Sequence, residues 1–231
     1  MIVEFCIDSV DGAIAAQQCG VKRVELCSAL NVGGLTPSYG LIQQCAQYQA
    51  EVHVMIRHIE GGFVYSKEDI AIMMADIKMA KQAGAKGVVF GCLTPQNTLA
   101  IDANIRLIET AKNLDLTVTF HRAFDLIQNP EENLTSLINL GVHRLLTAGQ
   151  KAKAIEGIDT IKKLVKQAKG EIEIMVGSGV NVNNAIELAA TGINALHFTI
   201  HQSSNKSASL GMGSRSIIDE EKITSILSLF K

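Results

Sequence analysis

The amino-acid sequence predicts an α/β protein in which eight strands and eight helices alternate to form one (β/α)8 TIM barrel, a single domain over residues 1–231. Two observations support this prediction. Short β-rich runs alternate with helical patterns along the whole chain, and no Pro-, Ser- or Gly-rich linker divides them. Within the runs, apolar residues also alternate with polar ones, whereas a strand buried on both faces would be almost continuously apolar. We therefore expect one face of each strand to line a shared interior.

Turn and cap residues support the predicted elements in order along the chain. Gly20 ends the first helix, Pro37 opens the second, and Gly84 ends the third. Pro130 occupies the first turn of the fifth helix, and glycines follow the fifth and seventh helices, where a C-terminal cap needs positive φ. The predicted strands are residues 2–7, 22–27, 52–57, 86–90, 116–121, 143–147, 172–176 and 194–198. The predicted helices are residues 11–19, 38–49, 67–83, 101–112, 130–140, 153–169, 182–190 and 219–229.

An open, doubly wound sheet is the alternative arrangement for alternating strands and helices. Its nucleotide-binding fingerprint, GxGxxG, is missing from the first predicted βα turn, which has the sequence Asp8-Ser-Val-Asp-Gly12. Eight βα units, each too short to fold alone, also fit closure into a barrel better. The barrel is therefore the predicted fold, and the doubly wound sheet is the second choice.

The composition argues against several functional classes. Of the 231 residues, 47% are hydrophobic and 19% are charged, as in a compact globular chain. The net charge of -2 gives no electrostatic basis for binding nucleic acid or an anionic membrane, and no apolar run is long enough to span a bilayer. Five cysteines without CxxC spacing, and no signal-like segment after Met1, predict free thiols and a cytoplasmic location.

In a barrel, the alternation divides each strand between residues that face the helices and residues that face the interior. The predicted inward residues are Glu4, Cys6, Asp8, Glu25, Cys27, His53, Met55, Arg57, Thr119, His121, Glu173, Met175 and His197. Active sites of this fold lie at the carboxyl ends of the strands, so the last inward residue of each strand is a functional candidate. Four inward residues nearer the strand starts are expected to form a buried polar network: Glu4, Glu25, His53 and Glu173.

Several ordered motifs resemble one known family. They are the segment 23–39, His53-Val-Met-Ile-Arg57, Val88-Val-Phe-Gly91, Leu93-Thr-Pro95, Thr119-Phe-His-Arg-Ala-Phe-Asp125 and Gly149-Gln150. On these motifs the chain resembles the copper homeostasis protein CutC family from the first strand to about residue 200. The resemblance implies a cytosolic barrel, a homo-oligomer with a dimer favoured, and Cu(I) binding through the cysteines that match Cys6 and Cys27. It implies no particular reaction.

Ligand chemistry is compatible with such a Cu(I) site. Thiolate and thioether sulfur suit a soft monovalent cation, and strands about 4.8 Å apart would bring Cys6 and Cys27 within reach of one ion. Met55, on the next strand, could supply a third soft contact. The alternative interpretation is that these residues simply fill the core, as buried cysteine and methionine often do.

A second hypothesis is an enzyme of unassigned reaction. His121 would act as general acid or base beside Arg57, with Asp8 and Glu25 as further catalytic candidates, on a small metabolite that carries a carboxylate or phosphate. A histidine that only satisfies a neighbouring carboxylate is the plainer alternative. The third hypothesis is a non-catalytic barrel that acts through an oligomer surface.

A glycine-flanked turn follows the seventh strand. Gly177, Ser178 and Gly179 form a candidate anion site there, because many barrels hold phosphate on the backbone N–H groups of this turn. The alternative is that the glycines merely allow a tight passage from strand to helix. Residues 206–216 are polar and contain glycine, and they are expected to form a mobile loop over the mouth.

Overall fold

Eight parallel strands close into a barrel in the computed structural model, which describes residues 1–207 and 214–230. The strands are β1 (Ile2–Ile7), β2 (Arg23–Leu26), β3 (Glu51–Met55), β4 (Gly87–Phe90), β5 (Thr117–Phe120), β6 (Arg144–Thr147), β7 (Glu173–Val176) and β8 (Ala195–Thr199). They are paired in chain order, and β8 returns to pair with β1. The predicted (β/α)8 TIM barrel is thus confirmed, and an open doubly wound sheet is excluded because each of these strands has two neighbours.

Each barrel strand is followed by a helix. The helices are α1 (Val10–Gln18), α2 (Tyr39–Cys45), α3 (Lys67–Gln82), α4 (Ile101–Lys112), α5 (Pro130–Leu140), α6 (Ile158–Ala168), α7 (Ala185–Ala189) and α8 (Glu220–Ser228). Ser66 and Asp69 form a capping box at the start of α3, which satisfies two backbone N–H groups reciprocally. The glycines predicted to follow helices do have positive φ: Gly20, Gly84, Gly141 and Gly192. None of the helices in the described part of the chain has both the length and the apolar character needed to cross a bilayer.

Some predicted boundaries are wrong. Helices α2 and α7 are shorter than predicted, and the start of the predicted sixth helix is a 3-10 helix, Ala154–Gly157. Two further 3-10 helices, Leu30–Val32 and Arg122–Leu126, lie in loops at the carboxyl ends of β2 and β5. Short 3-10 turns of this kind carry no long amphipathic period, so the sequence pattern did not separate them from loops or helices.

An antiparallel ribbon follows β8. It pairs β9 (His201–Ser207) with β10 (Ser214–Ile218), where the sequence predicted a loop at 206–216; residues 208–213 of that prediction lie outside the described residues. The ribbon is attached to the rim of the barrel at Asp8, since His201 Nε2 lies 3.0 Å from Asp8 Oδ1 and the Ser216 hydroxyl donates to Asp8 Oδ2 at 3.1 Å.

The outward face of the strands forms the main core with the helices. Phe5, Val24, Val54, Phe90 and Phe120 are all fully buried there, as the alternation predicts. Burying each such side chain stabilises the fold by roughly 1.5–3 kcal/mol, so this shell dominates the stability of the barrel. The inward face has only small apolar clusters, one of which is Cys6, Cys27, Met55 and Val89 near the carboxyl ends of the strands.

Candidate functional site

The interior side chains nearest the strand starts form a network of opposite charges, called here the lower layer. Its members are Glu4, Arg23, His53, Thr119, Arg144 and Glu173. Arg23 donates to Glu4 through Nε and to Glu173 Oε1 through Nη2 at 2.6 Å. Arg144 Nε lies 3.0 Å from the same Glu173 oxygen. Two carboxylates thus face two guanidinium groups, which is the condition for burying charge in a barrel interior.

Protonation in the lower layer follows from these contacts. Burial by itself would raise the pKa of Glu4, but the hydrogen bond from His197 and the charges of His197 and Arg23 lower the pKa to about 2. His197 Nδ1 lies 2.8 Å from Glu4 Oε1. Burial lowers the pKa of His53 to about 3, so its imidazole is neutral where it lies 3.3 Å from Nη1 of Arg144.

The sequence interpretation missed both arginines of this layer. Arg23 and Arg144 are the first residues of β2 and β6, and each is two positions before another inward residue, Glu25 and Leu146. Extending the alternation by one step on these strands would have placed both side chains inside. Their charge argued against an interior position, because arginine is seldom buried without a partner.

Near the carboxyl ends of the strands, the interior holds a different group of side chains, called here the upper layer. It consists of Cys6, Glu25, Cys27, Met55, Arg57 and His121. One ligand atom each from Cys6, Glu25 and Cys27 lie within 4.8 Å of one another, and all three residues are buried. Register explains the cluster, since Cys6 on β1 is opposite Glu25 on β2 and Cys27 immediately follows β2. Glu25, expected in the lower network, connects the two layers, because ligand atoms of Glu4, Glu25 and His197 also lie within 4.8 Å of one another.

The cysteine cluster has an asymmetric charge distribution. The hydrogen bond from Cys27 lowers the pKa of Cys6 to about 5, with His197 assisting and burial opposing, whereas the same hydrogen bond and burial raise the pKa of Cys27 well above its usual value. Burial raises the pKa of Glu25 to about 8. Burial disfavours the imidazolium of His197, but Glu25, Cys6 and Glu4 outweigh it and raise its pKa. Of the two thiols, Cys6 is therefore the more acidic, and it lies beside His197, whose charged form is favoured.

Two glycines make room for the upper layer. A Cβ on Gly34 would lie 3.0 Å from Cys27 Sγ and 3.6 Å from Met55 Cε, and the φ of Gly34 is +91°. A Cβ on Gly91 would lie 2.8 Å from His121 Nδ1. Only glycine allows the backbone to approach these side chains so closely, and both glycines are in segments quoted above for the resemblance.

Arg57 and His121 lie on one side of the mouth and share a contact with Phe63. The Arg57 Cζ atom is 5.4 Å from the centre of the Phe63 ring, and the ring centres of Phe63 and His121 are 4.8 Å apart. Burial and the charge of Arg57 lower the pKa of His121 to about 3. A group with so low a pKa is a weak base and remains neutral at pH 7, so His121 is suited to donate a hydrogen bond rather than to exchange protons as first expected.

The remaining predicted site residues have other contacts. Asp8 holds the ribbon, and hydrogen bonds and the charge of His201 lower its pKa. Ser178 and Gly179 line the mouth, but the Ser178 hydroxyl already donates to the carbonyl of Ala152 at 2.7 Å. Gly177 N donates to the carbonyl of Thr147 at 3.2 Å. The anion site at this turn stays a prediction.

A cavity of about 500 Å3 opens above the upper layer. Its polar walls come from the upper layer, from His197 and from the rim: Cys6, Glu25, Cys27, Arg57, His121, Arg122, Ser178, His197, Thr199 and Lys222. Its apolar walls are Leu30, Met55, Phe63, Leu146, Val180 and Phe198. The cysteine cluster and the Arg57–His121 side are therefore open to the same enclosed space.

Comparison with known proteins gives one consistent result. The model of the CutC family matches residues 1–202. Family proteins CutC from Glaesserella parasuis serovar 5 and Histophilus somni are each 42% identical to this chain, with 98% and 100% of both sequences covered. The crystal structure of a candidate copper homeostasis protein, CutC from Streptococcus agalactiae, has a TM-score of 0.81 at 35% identity and covers 86% of this chain and 98% of that chain. A 3-hexulose-6-phosphate synthase from Salmonella typhimurium, 13% identical with a TM-score of 0.63, shares the fold alone.

Proposed function

The chain belongs to the CutC family, and from this premise and the geometry of the barrel mouth we propose that it handles copper by binding Cu(I) through Cys6 and Cys27. The observation that carries the proposal is the buried cluster in which ligand atoms of Cys6, Glu25 and Cys27 lie within 4.8 Å of one another. Thiolate sulfur is the ligand that a soft monovalent cation prefers.

The charge state of the cluster favours a single cation. Cys6 is the more acidic thiol of the pair because the Cys27 thiol and His197 lower its pKa, so it is the first of the two to act as a thiolate ligand. Cys27 loses its proton only when the metal arrives, because its pKa is raised. Met55 packs in the same cluster and supplies a thioether as the third soft ligand of the proposal.

The test is anaerobic competition for Cu(I) against a chelator. The wild-type protein is expected to bind one Cu(I) per chain, and Cys6→Ser combined with Cys27→Ser is expected to abolish this binding. Cys45→Ser combined with Cys92→Ser is the matched control, because burial raises the pKa of these two buried cysteines to about 11 and about 12 and neither lines the mouth. Unchanged Cu(I) binding by the Cys6/Cys27 variant would refute the proposal.

Two further parts of the proposal are the compartment and the assembly. Cys6, Cys27, Cys45 and Cys92 are free thiols in this structure, and a Cu(I) site built from thiolates requires a reducing compartment, which supports a cytoplasmic location. A homo-oligomer, with a dimer favoured, remains the proposed assembly on the basis of the family resemblance. Sedimentation of the metal-free protein would measure it directly.

A further inference from the structure

Arg57 is a buried cation whose charge is not neutralised within the described residues. Only 4% of the residue is exposed. Its Nη1 donates to the carbonyls of Val32 and Gly34 at 2.9 and 3.0 Å, and its Nη2 donates to the carbonyl of Gly61 at 2.9 Å. These carbonyls satisfy N–H groups but bring no negative charge. None of the ion pairs among residues 1–207 and 214–230 includes Arg57, and its Nε has no hydrogen-bond acceptor there.

The neighbouring groups do not supply the missing charge. The hydroxyl of Tyr65 interacts with Arg57, but burial raises the pKa of Tyr65 to about 12, so the hydroxyl is neutral. Arg57 and Phe63 are in cation–π contact at 5.4 Å, which stabilises the guanidinium without neutralising it. A buried guanidinium left in this state is costly, and a bound anion would recover that cost.

His121 presents a second buried donor without a partner. Its Nδ1 accepts a hydrogen bond from the backbone N–H of Ala123 at 3.3 Å, so in the neutral ring the proton is on Nε2. Only 4% of the residue is exposed, and Nε2 has no acceptor among the residues that the structure describes. Leaving a buried donor unsatisfied is unfavourable, and a ligand oxygen that accepts the hydrogen bond would relieve this.

The two residues that carry these donors line one cavity. Arg57 and His121 contact Phe63, and all three residues line the cavity of about 500 Å3 above the cysteine cluster. The cavity also has an apolar part, to which Leu146 and Phe198 contribute. A ligand that fits these walls is small, carries a negative charge and a second oxygen acceptor, and has a short carbon skeleton.

We propose that the mouth cavity binds a small 2-oxo or 2-hydroxy carboxylic acid, whose carboxylate pairs with Arg57 and whose second oxygen accepts the Nε2–H of His121. The proposed contacts use Arg57 and His121 rather than the two cysteines, so binding does not require copper. At the glycine turn, the Ser178 hydroxyl and Gly177 N–H already donate to backbone carbonyls, so Arg57 and His121 are the donors left for the ligand. So few donors suit a carboxylate better than the larger charge and oxygen count of a phosphate.

Calorimetric titration of the metal-free protein at pH 7 tests this inference with three probes. Pyruvate is expected to bind with a dissociation constant of about 1 mM or lower. Acetate has the carboxylate but no 2-oxo oxygen for His121, and it is expected to bind about tenfold more weakly than pyruvate. Pyruvamide keeps the oxo oxygen but carries no charge, and it is expected to bind at least about tenfold more weakly than pyruvate because it loses the pairing with Arg57. The neutral analogue tests Arg57 without replacing a residue that also anchors two loops.

A pair of histidine variants assigns the second contact. In His121→Phe, which keeps an aromatic ring against Phe63, the pyruvate-to-acetate affinity ratio is expected to fall from about ten to about one. In His143→Phe, which changes an exposed histidine that does not line the mouth cavity, the ratio is expected to stay at about ten. No detectable pyruvate binding, an unchanged ratio in His121→Phe, or displacement of pyruvate by inorganic phosphate with equal affinity would each overturn the inference.

Discussion

The lower and upper layers of the barrel interior differ in whether their charged groups are neutralised. In the lower layer, the carboxylates of Glu4 and Glu173 lie against the guanidinium groups of Arg23 and Arg144. In the upper layer, none of the ion pairs among the described residues includes Arg57, His121 Nε2 has no hydrogen-bond partner there, and burial raises the pKa of Glu25 to about 8. Two lower-layer atoms, His53 Nε2 and Arg144 Nε, also lack a hydrogen bond, but Arg144 Nε lies 3.0 Å from a carboxylate oxygen of Glu173. A neutralised buried charge stabilises the fold, whereas an unneutralised one costs free energy and marks the end of the barrel where a ligand would be bound.

Removing one of the paired charges of the lower layer is expected to lower the free energy of unfolding more than any other change described below. Arg23→Met would leave the buried carboxylates of Glu4 and Glu173 without their shared partner, and the free energy of unfolding is expected to fall by about 3–5 kcal/mol. Urea denaturation measures this loss. The control is Arg122→Met, which removes a partly exposed ion pair with Asp125 and should cost less than about 1 kcal/mol. Equal losses in the two variants would mean that the lower layer is not a stabilising network.

Because the imidazole of His121 is neutral in the folded protein, we expect the free energy of unfolding to fall in acid, by less than in the Arg23 variant. Burial lowers its pKa from about 6.5 to about 3, so below pH 6.5 the unfolded state binds one more proton and the stability from this group falls by about 1.4 kcal/mol per pH unit. Between pH 7 and pH 5, wild type should therefore lose about 2 kcal/mol more than His121→Phe. Denaturation of both proteins at the two pH values gives the difference. Parallel losses would show that His121 does not remain neutral in the folded state.

Two methionines of the barrel interior, Met55 and Met175, allow the layers to be compared with the smallest change in side chain. Met55→Leu is expected to weaken Cu(I) binding on the order of tenfold, because the upper cluster loses its thioether, while the free energy of unfolding changes by less than about 1.5 kcal/mol. Met175→Leu is the control in the lower half of the interior, where Met175 Sδ lies 3.5 Å from Arg23 Nη2. It should leave Cu(I) affinity unchanged in the same chelator competition. Equal weakening by both variants would argue against Met55 as a ligand.

Much of this arrangement was predictable from the alternation of residue types. The pattern predicted eight strands, the barrel, and the inward direction of Glu4, Cys6, Cys27 and His53, because successive side chains on a strand point to opposite faces. It did not predict the ribbon of β9 and β10, since that segment is polar and rich in serine rather than in β-branched residues. The short 3-10 helices were missed for a different reason, which is that three to five residues carry no measurable period.

The sequence by itself determined which side chains enter the barrel and at what height along each strand. Tertiary structure alone decided which of them are paired, because the partners are far apart in the chain: Arg23 with Glu173, and Glu4 with His197. It also decided that Arg57 donates to loop carbonyls and that His121 keeps a free Nε2–H among the described residues. The height of a side chain along its strand follows from the two-residue period of the strand, which is a local property. The ion pairs and the resulting pKa values depend on distances between residues that are set only when the barrel closes.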